Sequence, residues 1–250
     1  MPGVATTTEP RAARRLVLSG RVQGLGVRPT IYRLAMELAL AGTVRNTARG
    51  VEIEIEGPPA RLDEFEHRLP EELPEGVSVT QFVAEPLVPF GCEEFSIVKE
   101  SNDGPLAARV SEDRAVCDEC LAEVKEPDDR RHGYPFTSCT HCGPRYTVIR
   151  AMPFEREDTA LDDFPLCDAC GREYRRPGDR RFHAQTTACP ECGPQVWLAD
   201  GVDGRWREDE ALRETVARLA AGEIVALRGL GGYQLLVDAT NERAVTRLRN

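Results

Sequence analysis

The stretch "GRVQGLGVRP" (residues 20–29) joins an apolar run, "RLVLSG", to a run with helical periodicity, "TIYRLAMELALA". A glycine-rich loop that enters a helix gathers the unpaired backbone N–H groups of the helix start, which favours a bound anion. Pro29 suits the first helical turn, because its missing N–H would have had no partner there. The alternative is a plain turn between a strand and a helix with an arginine at the surface. We predict a phosphate-binding loop formed by Gly24, Leu25, Gly26, Val27 and Arg28, in which Arg28 supplies a planar, permanently charged guanidinium.

Outward from this loop, residues 14–102 alternate between strand and helix patterns. Ile31, Leu34, Ala35 and Leu38 recur at the spacing of one helix face, while "VEIEIEG" alternates apolar and acidic residues with the strand period of two. The order is βαββαβ with a possible extra strand, which predicts a ferredoxin-like antiparallel sheet covered by two helices. A domain of about 90 residues buries enough surface to fold without disulfides or metals. The predicted fold class of this multidomain chain is therefore α+β.

A repeat with a period of 50 residues lies in residues 117–194, inside a predicted domain of residues 103–195. The two copies begin "CDECLAEVKEPDDRR" and "CDACGREYRRPGDRR", and 13 of 29 aligned positions are identical, including every cysteine. Both copies have the spacing C-x2-C-x18-C-x2-C. The segment between them has few periodic apolar residues, so each copy is too small to be held together by a hydrophobic core.

Metal binding is the predicted substitute for that core. Four cysteine thiolates bind zinc tetrahedrally at about 2.3 Å, and a closed site of this kind is structural rather than catalytic. A redox dithiol would need one exposed pair, not four pairs at matched spacing. We predict two Zn(II) ions, one in each copy, although spacing alone also permits crossed pairing between the copies. The predicted ligands are Cys117, Cys120, Cys139, Cys142, Cys167, Cys170, Cys189 and Cys192.

The composition is that of a soluble globular protein, with 41% hydrophobic residues and a formal net charge of -10. This acidic surplus argues against nucleic acid and anionic membrane surfaces as partners. No stretch approaches the roughly 20 apolar residues that cross a bilayer, and the predicted flexible tail, residues 1–13, lacks the apolar core of a signal peptide. We expect a cytoplasmic protein with no nucleic-acid or membrane partner.

Residues 205–250 predict a helix that stops at Gly222, then a strand, a glycine loop, a second strand and a helix. A segment of this size is at the lower limit of what folds alone. We therefore expect the beginning of an α/β domain whose remainder lies outside this chain.

The loop and the strand beyond it resemble the acylphosphatase signature, close to GxVQGVGFR followed about 18 residues later by an asparagine. The matching residues here are "GRVQGLGVR" and Asn46 in "VRNTARG". The resemblance implies that Arg28 binds the phosphoryl oxygens and that Asn46 orients the attacking water, so both would be catalytic. Leu25 and Val27 replace the usual Val and Phe, which are apolar exchanges that affect packing beneath the loop.

The acylphosphatase-like module, the duplicated cysteine pattern and "GEIVALRGLGGYQLLVDATNERAV" together resemble the hydrogenase maturation carbamoyltransferases, the HypF family. The last segment is similar to the opening of a YrdC-like domain. The resemblance implies that carbamoyl phosphate is the substrate and that its carbamate is activated with ATP and Mg(II) as carbamoyl adenylate, at a site outside this chain. It further implies transfer of the carbamoyl group to the C-terminal cysteine of a HypE-type partner, for cyanide ligand synthesis.

Two other functions remain open at this point. In the first, the chain is a stand-alone acylphosphatase with an appendage stabilised by zinc. In the second, it is a zinc-finger module for protein interaction. Stimulation of hydrolysis by ATP and partner would separate the first from the relay. Loss of activity on replacing Arg28 would argue against the second.

Overall fold

The computed structural model describes residues 10–99, 109–201, 205–229 and 232–250. Most of the predicted tail, residues 1–13, and the start of the predicted cysteine domain, at residues 103–108, lie outside these ranges. The first domain contains five strands and two helices in the predicted order βαββαβ, followed by the extra strand. They are β1 (Ala12–Arg21), α1 (Val27–Glu37), β2 (Ala41–Thr47), β3 (Gly50–Gly57), α2 (Pro59–Glu72), β4 (Ser78–Leu87) and β5 (Phe95–Ile97).

The sheet has the strand order β4-β1-β3-β2-β5. The four long strands pair antiparallel, as predicted, while β5 adds to β2 in parallel. Strands β1 and β3 pair in register from Ala12 opposite Gly57 to Ser19 opposite Gly50. This register places the end of β1, where the glycine loop begins, beside the β2–β3 turn that follows Asn46.

One hydrophobic core lies between this sheet and its two helices. Leu16 and Leu18 of β1, with Ile53 of β3, are at most 1% exposed, and the helix face predicted from periodicity packs against them. Burial of such side chains stabilises the domain by about 1.5–3 kcal/mol each, before chain entropy is counted. The core residues from the helices are Ile31, Leu34, Ala35, Leu38, Leu62, Phe65 and Leu69.

The two cysteine repeats share one local design. A helix starts directly after the first cysteine of each copy, α3 (Asp118–Lys125) after Cys117 and α4 (Asp168–Arg175) after Cys167. The connecting segment forms two 3-10 turns, Arg156–Asp158 and Ala160–Asp163. Only a small apolar cluster of Val148, Phe154 and Leu161 forms there, as expected from its sparse apolar pattern.

The remaining elements follow the predicted helix–strand–strand–helix order, preceded by a small hairpin that the sequence did not predict. They are β6 (Trp197–Ala199), β7 (Arg205–Arg207), α5 (Glu208–Ala220), β8 (Val225–Gly229), β9 (Gly232–Leu236) and α6 (Glu242–Arg249). Gly222 follows α5 with a φ of 80°, the left-handed conformation that ends a helix. Residues 230 and 231 of the predicted glycine loop lie outside the described residues.

Contacts divide the chain into two compact units, residues 1–121 with 137–188 and residues 122–136 with 189–250. The first unit contains the whole five-stranded sheet, its two covering helices and the connecting segment between the cysteine repeats. The second contains the two small hairpins and helices α5 and α6. Within the described ranges, no helix is long and apolar enough to cross a membrane.

Candidate active site and cysteine clusters

The candidate phosphate loop, residues 24–28, turns sharply into helix α1. Gly24 and Gly26 have φ values of 75° and 80°, a left-handed conformation that residues with a Cβ rarely adopt. Gly26 is the N-cap of α1, and the first turn contains no acidic residue. The start of the helix therefore presents N–H groups and partial positive charge that no carboxylate of its own first turn neutralises.

Arg28 and Asn46 converge on a single carboxylate. Arg28 is 7% exposed and Asn46 is 1% exposed, so both are buried rather than at the surface. The Arg28 guanidinium forms a two-pronged ion pair with Glu155, in which Nη1 contacts Oε1 and Nη2 donates to Oε2 at 3.1 Å. Asn46 Nδ2 donates to Oε1 of the same carboxylate at 3.1 Å. The two residues predicted to be catalytic thus lie within reach of one small anionic group.

The backbone on both sides of Glu155 is fixed by hydrogen bonds. The buried Gln23 accepts a bond from Phe154 N at 3.0 Å through Oε1, and its Nε2 donates to the carbonyl oxygens of Thr47 and Gly50, both at 2.8 Å. On the other side, the Arg156 guanidinium donates through Nη1 and Nη2 to three carbonyl oxygens, those of Phe164, Gln185 and Thr187, at 2.7 to 2.9 Å. The peptide at Glu155 is therefore held in place, and its side chain reaches Arg28 and Asn46 from there.

His183 and Tyr174 flank the same site. Their rings lie 5.0 Å apart, and His183 has a φ of 52°. Burial, followed by the positive charge of Arg28, lowers the pKa of His183 to about 4. Its imidazole is therefore neutral at pH 7 and adds no second positive charge beside Arg28. Burial also raises the pKa of Tyr174, which donates to Gln185 Oε1 at 3.0 Å.

Two cavities adjoin the Arg28–Glu155 pair. A small one of about 30 Å³ is lined by the glycine loop, Arg28, Asn46 and His183. A second, of about 180 Å³, is lined by Arg28, Glu155, Lys99, Tyr174, His183 and Gln185. Arg28 and His183 line both cavities, so the ion pair lies where the two approach each other.

Each repeat brings its own four cysteines together. In both clusters, Cys117, Cys120, Cys139, Cys142 and Cys167, Cys170, Cys189, Cys192, the sulfur atoms all lie within 4.8 Å of one another. A tetrahedron with bonds of about 2.3 Å places its sulfurs about 3.8 Å apart. The Cys117–Cys139, Cys139–Cys142 and Cys189–Cys192 sulfur distances are 3.7, 3.9 and 3.7 Å. This donor set fits two zinc ions with sequential pairing, so crossed pairing of the repeats is not what the chain forms.

The "DRR" motif of the second repeat is used by the first cluster. Arg180 Nη2 lies 3.2 Å from Cys120 Sγ, and Arg181 Nη2 lies 3.8 Å from the same sulfur. Arg181 Nε also donates to the Ser138 carbonyl oxygen at 3.0 Å. These guanidinium groups offset thiolate charge, and this local compensation is a role that the sequence analysis did not assign to them.

Sequence reasoning missed Glu155, Gln185 and the position of His183. His183 belongs to the second cysteine repeat, yet it lines the cavities beside Arg28. Glu155 lies 127 residues from Arg28 in the chain, and no local spacing connects them. The roles of Arg28, Asn46 and the loop as catalytic and phosphate-binding groups stay predictions.

Family models match two parts of the chain. The acylphosphatase model matches residues 14–97, and the HypF finger model matches residues 116–149 and 166–199. The finger matches coincide with the two cysteine repeats. The acylphosphatase match contains both the glycine loop and Asn46.

Curated relatives are similar over nearly the whole chain. Carbamoyltransferase HypF2 of Cupriavidus necator is 48% identical over 244 residues, which are 96% of this chain and 30% of that protein. Carbamoyltransferase HypF of Synechocystis sp. is 47% identical over 234 residues, 93% of this chain and 30% of that protein. The chain thus spans about 30% of the length of the curated relatives it matches.

Solved structures agree with this comparison. The crystal structure of full-length HypF in the phosphate- and nucleotide-bound form matches with a TM-score of 0.88 at 36% identity, over 98% of this chain and 32% of that one. The structure of T. kodakarensis HypF matches with a TM-score of 0.84 at 38% identity, over 95% of this chain and 30% of that one.

Proposed function

This chain belongs by homology to the HypF carbamoyltransferases, of which it spans about 30%, and we propose that its first domain hydrolyses carbamoyl phosphate. The observation that carries this proposal is the convergence of Arg28 and Asn46 on one carboxylate at the start of helix α1. A carboxylate and a phosphoryl group offer a guanidinium the same pair of oxygens, so a site that holds the first is also suited to the second.

In this proposal Arg28 and the N–H groups of the loop bind the phosphoryl oxygens, and Asn46 orients a water molecule. The water oxygen attacks phosphorus while the bond from phosphorus to the carbamoyl oxygen breaks. Carbamate leaves with the electron pair of that bond, and inorganic phosphate takes up the oxygen of the water together with its two protons. Positioning and charge stabilisation do most of the catalytic work in such a transfer.

The two cysteine clusters have a structural role here. Each would hold one zinc ion through four thiolates, which leaves no open position for substrate. The connecting segment contributes Glu155 to the site and the second repeat contributes Gln185, so the region that contains the cysteine clusters shapes the site of the first domain.

For a protein of the full length of those relatives, we propose the relay that the resemblance implies. The carbamate formed at the first domain would be activated with ATP and Mg(II) outside this chain and transferred to a HypE-type partner. Carbamate is unstable in water, so passing it on without release would protect it. A stand-alone acylphosphatase would release it, and only the relay makes hydrolysis in a protein of that full length depend on ATP and on the partner.

A turnover assay tests the hydrolase proposal. The zinc-loaded chain is incubated with carbamoyl phosphate or acetyl phosphate, and released phosphate is measured. Arg28→Ala and Asn46→Ala are expected to lose at least about a hundredfold of kcat/KM with the fold retained. Arg33→Ala, on the exposed side of the same helix, is the matched control and should retain activity. Equal activity in wild type and Arg28→Ala would refute the proposal.

A further inference from the structure

The Glu155 carboxylate is held by three side chains that all donate to it. Oε1 contacts Arg28 and Asn46, while Oε2 accepts from Arg28 at 3.1 Å and from Gln185 Nε2 at 3.2 Å. Its side chain is 14% exposed and that of Arg28 is 8% exposed. No acidic residue from the first turn of α1 contributes, so this anion comes from a segment more than a hundred residues away.

Such an arrangement excludes a second anion from the same donors. The two Nη atoms of Arg28 and the amide of Asn46 point at Glu155, so they cannot also hold the oxygens of a phosphoryl group. Two anions crowded against one guanidinium in a partly dry site also repel each other strongly. Phosphate can therefore bind these donors only after the carboxylate has moved away.

We propose that Glu155 is an internal competitor of the phosphoryl group for Arg28 and Asn46. Substrate binds by displacing its carboxylate, and return of the carboxylate expels the product phosphate. This inference rests on the proposed phosphate site, and it assigns to Glu155 control over anion affinity rather than a part in bond cleavage.

The surroundings of Glu155 suit a side chain that moves on a fixed backbone. Phe154 is tied to Gln23, and Arg156 is tied to three carbonyl oxygens, so the peptide itself is held in place. The cavity of about 180 Å³ beside Glu155 offers room for its rotation. Gln185 lines that cavity and already bonds Oε2, so it can keep a partner on the displaced carboxylate.

Glu155 also stabilises the site between turnovers, when no phosphate is bound. A buried guanidinium without a counter-ion is strongly destabilising, and Arg28 is 7% exposed. Glu155 supplies that counter-ion whenever phosphate is absent. The site thereby exchanges one anion for another and never leaves Arg28 unpaired.

Calorimetric titration of inorganic phosphate into the zinc-loaded full chain tests the proposal. Glu155→Gln keeps the size of the side chain and removes its charge, and it is expected to bind phosphate at least tenfold more tightly than wild type. Its kcat/KM for carbamoyl phosphate should rise, and inhibition by product phosphate should strengthen. Glu64→Gln is the matched control, since Glu64 is exposed and pairs with Arg68 of the same helix at 3.4 Å. This control should bind phosphate within twofold of wild type.

Unchanged or weaker phosphate binding in Glu155→Gln would overturn the proposal. A hundredfold fall in its kcat/KM at unchanged phosphate affinity would also overturn it, because it would make Glu155 a general base instead. If that variant melts too low to titrate, Glu155→Asp gives the same comparison, since a shorter side chain on a fixed backbone cannot make the two-pronged contact. If wild type hydrolyses no acyl phosphate but Glu155→Gln still binds phosphate more tightly than wild type, the competition is upheld. Only the hydrolase function is then rejected.

Discussion

Arg145 Nε donates a hydrogen bond of 2.7 Å to the carbonyl oxygen of Gly24, and so joins the candidate phosphate loop to the first cysteine cluster. The other nitrogens of the same guanidinium contact the carbonyl oxygens of Thr140, Cys142 and Gly143. These carbonyls belong to the second CxxC turn of the first repeat and to the glycine that follows it. Because Arg145 is buried and makes all these contacts at once, the shape of that turn fixes the conformation of the loop.

Replacing Arg145 by Met is expected to lower both the stability of the chain and the affinity of the site for substrate. Several buried carbonyl oxygens would lose their donor, which costs about 2–3 kcal/mol in the free energy of unfolding. The loosened loop should raise KM for carbamoyl phosphate about tenfold or more. Urea unfolding and steady-state kinetics measure the two effects. Arg150→Met is the control, because the half-exposed Arg150 pairs with Asp163 at the surface and should change stability by less than about 1 kcal/mol.

Arg180 should set the zinc affinity of the first cluster. Its Nη2 lies 3.2 Å from Cys120 Sγ, and a positive donor at that distance stabilises thiolate over thiol. Removing such a contact around a metal typically costs about 10–100-fold in affinity. We expect Arg180→Met to lower zinc affinity about tenfold in competition with a chromogenic chelator. Arg172→Met, at an exposed position of α4, should leave the affinity unchanged, and an equal loss in both variants would contradict the assignment.

The sequence predicted the parts of the molecule that local spacing determines. Helix α1, the alternation of β3 and the extra strand follow from periodicity, and the left-handed conformations of Gly24 and Gly26 follow from glycine in a tight loop. The cysteine clusters follow from matched spacing, but sequential pairing needed the three-dimensional positions of the sulfurs. Spacing within a repeat cannot decide which two CxxC turns bind the same metal ion.

Glu155 could not be predicted for a different reason. Acidic residues are common on the surface of a chain with a net charge of -10, and nothing local distinguishes Glu155 from Glu157. Only the tertiary structure distinguishes them. Glu155 contacts Arg28, which lies 127 positions away in the sequence, whereas Glu157 pairs with Lys99. The same holds for Arg180, whose repeated motif was visible although the sulfur that it contacts was not.

Gln23 is expected to be sensitive to the introduction of charge. It is 2% exposed, donates to two carbonyl oxygens and accepts from Phe154 N. In Gln23→Glu a carboxylate would face those two carbonyls, which raises its folded pKa above the unfolded value of about 4.3. The variant should therefore lose stability relative to wild type as the pH rises above about 4. Parallel unfolding of both proteins at pH 4 and pH 7 measures this, and a deficit that is the same at both values would contradict it.

The lowered pKa of His183 predicts that the protein loses stability in acid. Burial and the charge of Arg28 lower its folded pKa to about 4, against about 6.5 in an unfolded chain. The unfolded state thus binds more protons between these values, so the contribution of His183 is fully present above about pH 6.5 and is lost as the pH falls toward 4. Asn is the suitable replacement, because it tolerates the φ of 52° and does not titrate. Between pH 7 and pH 5, wild type should lose about 1–2 kcal/mol more stability than His183→Asn. Chemical denaturation at both pH values in phosphate-free buffer checks this difference, since phosphate on Arg28 would change the field at the imidazole. Parallel stability curves for the two proteins would mean that His183 titrates normally, and hence that its imidazole is hydrated rather than buried beside Arg28.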